Sequence, residues 1–319
     1  MAQLIDTLLL LALPASGKSE VRRYLAGLTE RQCRDEFHIA PTAQLDDFPY
    51  VHFMRRIDEE LVALGQPRIF FWADDRPFQD GIEWGTLIAL INEDYRRLHG
   101  GAMRPGHGAT WLLERLEAAR VSVGGQPKLS RLEAGVRAEL AKRLEGEAAD
   151  VVRHTQPEVL APGAERTVVI EFARGGADGS SLPLVPPYGY GYSLSVLSEE
   201  ILSRSAALYI WVTPEESRRK NAARTDPNDP GSILHHGVPI EVMLNEYGCD
   251  DMEYLLSRAS KPGTVEVKKG DRVFHIPLAR FDNRVDKTSF VREPREQWPE
   301  PAVRALHEGL KEALGRLVK

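Results

Sequence analysis

Apolar residues in this chain come in short unbroken runs, and the stretches between them carry the three-to-four spacing of helices. Residues 8–13 (LLLLAL) form the first run, and 167–172 (TVVIEF) and 206–212 (AALYIWV) form two more. Unbroken runs of this length fit strands buried on both faces, as in a parallel sheet. Val21, Tyr24, Leu25 and Leu28 follow the first run at helical spacing. After the third comes Thr213-Pro214-Glu215-Glu216, a helix start with a capping Thr, Pro in the first position and two acids behind it. Residues 37–40 are a further short apolar stretch, read as the second strand, with LDDFP (45–49) behind it. Residues 265–267 and 272–276 flank KKGD and predict a hairpin whose second arm is the last strand of the main sheet.

Residues 84–156 are mostly helical in pattern. Ser130 and Glu133 have capping-box spacing, and Leu132, Val136, Leu140 and Leu144 recur every four residues. RIFFWAD (68–74) fits either an extra strand or a buried loop. Residues 175–192, rich in Gly, Pro and Tyr, form one long loop. Strands alternating with helices predict an α/β fold with a doubly wound parallel sheet. Its core spans 1–67 and 157–319, with a largely helical insertion at 68–156 and a lid-like segment at 214–240. The pattern leaves strand order open.

With 319 residues, 42% hydrophobic and 28% charged, the chain has material for a large core. A net charge of −6 argues against a general nucleic-acid binder. The two cysteines, Cys33 and Cys249, make no metal or CxxC pattern, so a reducing, cytoplasmic setting is expected. Residues 1–7 hold Asp6 and no Lys or Arg, which argues against a secretory leader. The run at 8–13 is too short to span a bilayer, so no membrane partner is expected. Oligomeric state is not set by these features.

Residues 12–19 read ALPASGKS. A phosphate-binding loop has the form G-x-x-x-x-G-K-[ST], and here Ala12 stands in the first glycine position. The stretch sits between a predicted strand and a predicted helix, as the motif requires, so the sheet is expected to be of the P-loop NTPase type. Backbone N–H groups of Ala15, Ser16, Gly17, Lys18, Ser19 and Glu20 are candidates to bind phosphate, helped by the helix dipole. Lys18 would reach the β- and γ-phosphates and the Ser19 hydroxyl would ligate Mg²⁺.

Phosphoryl transfer also needs an acid–base group and positive charge over the leaving phosphate. Asp46 and Asp47 follow the second predicted strand, Glu171 ends the third, and Arg218, Arg219, Lys220 and Arg224 lie on the helix after the fourth. Strand tips on the carboxyl side of such a sheet line the ligand crevice. Other candidates are fewer in role. His52 and Arg56 share a helix face beside Arg55. Tyr188, Tyr190 and Tyr192 fit a mobile flap or a pinned surface loop. His235-His236 reads as polar filler, and Asp250-Asp251 as surface charge.

Taken in order, the loop, DDF, a strand ending in Glu and a strand leading into an Arg-rich helix resemble the P-loop small-molecule kinases of the adenylate-kinase-like class. The likeness is closest to the uridine kinase and nicotinamide riboside kinase group. It covers about half the chain, in pieces. It implies ATP and Mg²⁺ as cofactors, Asp46 as the base for an acceptor hydroxyl, Glu171 as a magnesium ligand beside Ser19, and Arg224 as a lid arginine. Residues 281–283 (FDN) follow the last predicted strand, where this class often contacts adenine. Pro49 stands where the group has an aromatic, with Tyr50 next, and its paired basic residues fall on Lys220 and Asn221. The expected activity is transfer of the γ-phosphoryl group of ATP to a hydroxyl of a small metabolite such as a nucleoside. The alternative is a nucleotide-binding regulatory or slowly hydrolysing protein whose helical insertion binds a partner.

Overall fold

A computed structural model describes residues 3–101, 106–157, 159–161, 163–224 and 237–318. Strand β1 (Thr7–Leu11) leads through helices α1 (Lys18–Ala26) and α2 (Glu30–Phe37) to β2 (Thr42–Asp46). Helices α3 (Phe48–Ala63), α4 (Glu83–Leu98), α5 (Gly108–Ser122), α6 (Ala134–Arg143) and α7 (Glu145–Thr155) precede β3 (Thr167–Phe172). Then come α8 (Gly189–Val196), α9 (Glu199–Arg204), β4 (Ser205–Trp211), α10 (Pro214–Arg224), α11 (Ile240–Glu246) and α12 (Met252–Arg258). A hairpin of β5 (Thr264–Lys269) and β6 (Arg272–Asp282) and a final helix, α13 (Glu300–Leu317), complete the chain.

The six strands lie in the order β2-β3-β1-β4-β6-β5. All pair in parallel except β5, which runs antiparallel to β6 at the edge. The hairpin is as the sequence suggested, and its second arm joins the main sheet beside β4. Central β1 pairs on both sides, with Leu9 opposite Ile170 and Ala207. Alternate side chains of a strand face opposite ways. Leu8 and Leu10 enter a core with α1, α2 and α13, while Leu9 and Leu11 enter a second core with α4, α8 and α9. Burial on both faces is why 8–13 is apolar without a break. The result is a six-stranded, mostly parallel sheet flanked by helices.

A third apolar cluster joins α3, α4, α5, α6 and α7 to Leu13 and Val212, which follow β1 and β4. The helical stretch therefore roofs the carboxyl edge of the sheet, and α4 also packs on the sheet itself. Among the described residues no helix is long and apolar enough to cross a membrane.

Three local readings change. Phe37 ends α2 instead of opening a strand, because Thr29 and Gln32 form a capping box that starts a helix there. The second strand is Thr42–Asp46, so the first Asp of LDDFP is its last residue. Ser130 caps nothing. Glu117 accepts the N–H groups of Lys128, Leu129 and Ser130 and folds them into a 3-10 turn, so α6 begins only at Ala134. RIFFWAD is a loop with a single bridge, Phe71 to Phe78, in which Phe70 and Phe71 are buried and Trp72 is exposed; it wraps on the Asp58 carboxylate, which accepts the N–H groups of Ile69, Phe70 and Phe71.

Candidate functional site

The chain leaves β1 and turns back into α1 within six residues. Two left-handed backbones make the bend: Ala15 at φ 55° and Gly17 at φ 108°. An alanine in that region is strained, which is a feature of functional loops. Ala12, in the first glycine position of the motif, needs no positive φ. A Cβ on Gly17 would lie 2.6 Å from the Thr288 hydroxyl and 3.0 Å from Asn283 Nδ2, so glycine is required there for room as well as for φ. Asn283 Nδ2 donates to the Ser16 carbonyl (2.8 Å) and the Ser217 hydroxyl donates to the Pro14 carbonyl (2.7 Å), pinning the bend from both sides. Among the described residues the N–H groups of Ala15, Gly17 and Ser19 meet no acceptor. Lys18 Nζ donates to the Ala12 carbonyl at 3.2 Å.

The bend opens on a cavity of about 300 Å³. The order of strands reverses here: β1 connects toward β2 on one side, and β3 connects past β1 toward β4 on the other. Crevices at such points are where open α/β sheets bind ligands. Ala15, Ser16, Lys18, Ser19 and Glu20 line the cavity with Asp46, Asp47 and Glu171. Gly17 is not on the wall; it makes the turn. The Glu20 carboxylate is held by Arg292 Nε at 2.6 Å.

Register explains the carboxylates. Asp46 and Glu171 are partners across β2 and β3, and Leu10 of β1 lies beside Glu171. Asp47 follows directly, at the N-cap position of α3 but with no capping hydrogen bond from its side chain. Two arginines serve the three. Glu171 pairs with Arg22 at 2.7 Å. Asp47 pairs with Arg174 at 2.6 Å. Asp46 accepts the Phe48 N–H at 2.9 Å and has Arg22 only at 3.8 Å. Its burial, then the charges of Glu171 and Asp47, push Asp46 up to about 8. Burial also raises Asp47, with Arg174 opposing. Arg174 is fully buried, donating to Ser193 Oγ and the Ala173 carbonyl and lying on the Trp84 and Phe172 rings. Arg22 also donates to the Gln44 side chain.

The far wall is aromatic. Phe71 and Phe78 stack with centroids 4.4 Å apart, Trp84 meets Phe78 edge-on at 5.0 Å, and Tyr247 meets Trp84 at 5.8 Å. Arg55 lies on the Phe71 face, 3.9 Å from its centroid. Glu246 completes this wall. Sequence reading missed Arg22, Arg174 and Glu246, since none belongs to a local motif. Arg22 carried one signal: four residues after Lys18, it shares that lysine's helix face.

Other expected residues are elsewhere. Lys220 is buried in an ion pair with Asp286 (3.0 Å), and the Asn221 amide exchanges hydrogen bonds with Val238. Arg218 and Arg219 pair with Glu215 and Glu216 on their own helix. The Arg224 side chain and residues 225–236, with His235 and His236, lie outside the described residues. His52 and Arg56 turn to Glu147 and are not on the cavity wall, whereas Arg55 is. Tyr50 is core, donating to Asp94. Tyr190 is also core, at the start of α8. Asn283 braces the loop, which excludes an exposed adenine contact for it. Asp251 is buried and accepts the N–H groups of Tyr190 and Gly191, so the pair Asp250-Asp251 is structural and not surface charge.

No family model and no curated protein matches this chain.

Proposed function

We propose that the chain is an ATP-dependent phosphotransferase of the P-loop kinase type, acting on a hydroxyl of a small metabolite. One observation carries the reading: the bend and Lys18 share one cleft with the strand-end carboxylates Asp46, Asp47 and Glu171, of which Asp46 has a cation, Arg22, only at 3.8 Å. The assignment of roles follows from that pairing. Arg174 fixes Asp47, and Arg22 occupies Glu171. Asp46 is left to accept the proton of the acceptor hydroxyl. As the new O–P bond forms and the γ-phosphoryl bond to ADP breaks, Lys18 and the loop amides stabilise the oxygens that gain charge.

The Ser19 hydroxyl and the carboxylate of Glu171 are hard oxygen donors, suited to Mg²⁺. Bound there, the ion would neutralise charge on the phosphates. Among the described residues no three His, Cys, Asp or Glu side chains form a metal cage. Mg²⁺ in phosphate sites ordinarily takes one or two protein ligands and fills the rest with phosphate oxygens and water. Use of ATP would suit a cytoplasmic protein. The aromatic wall and the cavity volume suit an acceptor of metabolite size, such as a nucleoside.

The test is a panel of hydroxyl-bearing metabolites scored for stimulation of ATP consumption, with Lys18→Ala as the blank. At least one compound is expected to stimulate the native protein and not the variant. Slow ATP turnover that no compound accelerates would favour the regulatory alternative.

A further inference from the structure

Among the described residues the buried carboxylates are well partnered, with one exception. Asp58 accepts three backbone N–H groups. Glu83 pairs with Arg120 and Lys128, and Asp94 takes Arg115 and the Tyr50 hydroxyl. Asp251 takes two N–H groups at 2.6 and 2.9 Å. Glu246 is 3% exposed, and among the described residues it accepts only the Phe78 N–H, at 3.3 Å. Arg55 is on the same wall yet makes no ion pair with it. A buried carboxyl with one long hydrogen bond loses hydration without recovering it from the chain. Its place is in the cavity wall, beside the aromatic residue Phe78.

The surroundings select the partner. Aromatic faces are negative, and a carboxylate is negative or, when protonated, still an acceptor. Both attract the positive hydrogens of nitrogen. The wall already holds one such group, the Arg55 guanidinium over Phe71. We propose that Glu246 recognises the acceptor by taking a hydrogen bond from a nitrogen donor, an amine or an amide N–H. That donor sits on an apolar body away from the reacting hydroxyl. Calling this ligand the acceptor rests on the phosphotransferase reading. The binding itself uses neither nucleotide nor Lys18.

Three probes of one size test it on the nucleotide-free full chain by calorimetry or ligand-observed NMR: benzylamine, benzamide and methyl benzoate. The native protein is expected to bind at least one nitrogen probe tenfold or more tightly than the ester. Which of the two binds tells amine from amide. Glu246→Met should level all three. Glu246→Gln, which keeps the shape and removes a poorly solvated carboxyl, should fold as well as the native chain and lose any benzylamine preference. If Glu246→Met does not fold, Glu246→Gln decides an amine and Glu246→Ala decides an amide. Equal affinities in the native protein, no binding of any probe, or a preference that survives the loss of the carboxyl overturns the inference. The expected pattern without acceptor-stimulated ATP use would leave Glu246's role standing and sink the kinase reading instead.

Discussion

Under the phosphotransferase proposal Asp46 is the residue on which the chemistry would turn, and its environment sets a pH signature. A general base works only when deprotonated. With Asp46 raised to about 8, kcat/KM is expected to climb with pH and to fall away below that value. Asp46→Asn should lower transfer by about 10²- to 10⁴-fold while nucleotide binding persists. A flat pH profile, or a variant that loses nucleotide binding equally, would contradict the role. Arg22 enters the same account from the other side. Its charge opposes the rise at Asp46. Arg22→Gln should therefore move the profile to higher pH, read as a shift in the midpoint of the rate curve. A shift toward acid would show that Arg22 does not face Asp46 in the working enzyme.

Among the elements, a buried polar knot ties the helical roof together. Arg115 of α5 donates to Glu93 (2.7 Å), Asp94 (2.8 Å) and the Tyr50 hydroxyl (2.7 Å), tying α3, α4 and α5 together. Removing one partner of a buried pair strands the others. Arg115→Ala is expected to cost roughly 3–5 kcal/mol of unfolding free energy by denaturant titration. A loss under about 1 kcal/mol would mean that water reaches the site. These elements also mark what the sequence made legible. β1, the loop and α1 were plain because a doubly buried strand, a tight bend and an amphipathic helix each have a local pattern. β2 was not, because TAQLD has only two buried positions and the neighbouring residues 37–40 are more apolar. The capping reading at Ser130 failed because a distant carboxylate, Glu117, won its backbone. Arg174 and Glu246 were invisible for the same reason: each acts through partners far along the chain.

For the whole molecule, the half-buried Asp46 and the buried Glu246 and Asp94 make stability depend on pH. Asp46 and Glu246 titrate near 8 and Asp94 near 6, against roughly 4 for each unfolded. Between those values the native state binds more protons than the unfolded chain, so stability falls as pH rises. Tm should be lower at pH 9 than at pH 6, and the double variant Asp46→Asn, Glu246→Gln should flatten the slope. A Tm that rises over that range would contradict these environments. Asp282 works the other way. Its Arg284 partner holds it down at about 2, so its contribution is lost only in acid.

The most direct measurement is a calorimetric titration of Mg·ATP into the native protein and into Lys18→Ala. Saturable one-to-one binding by the native chain, weakened roughly ten- to hundredfold by loss of the ammonium group, is the predicted result. No binding, or equal binding by the two proteins, would contradict the claim that this bend holds a polyphosphate.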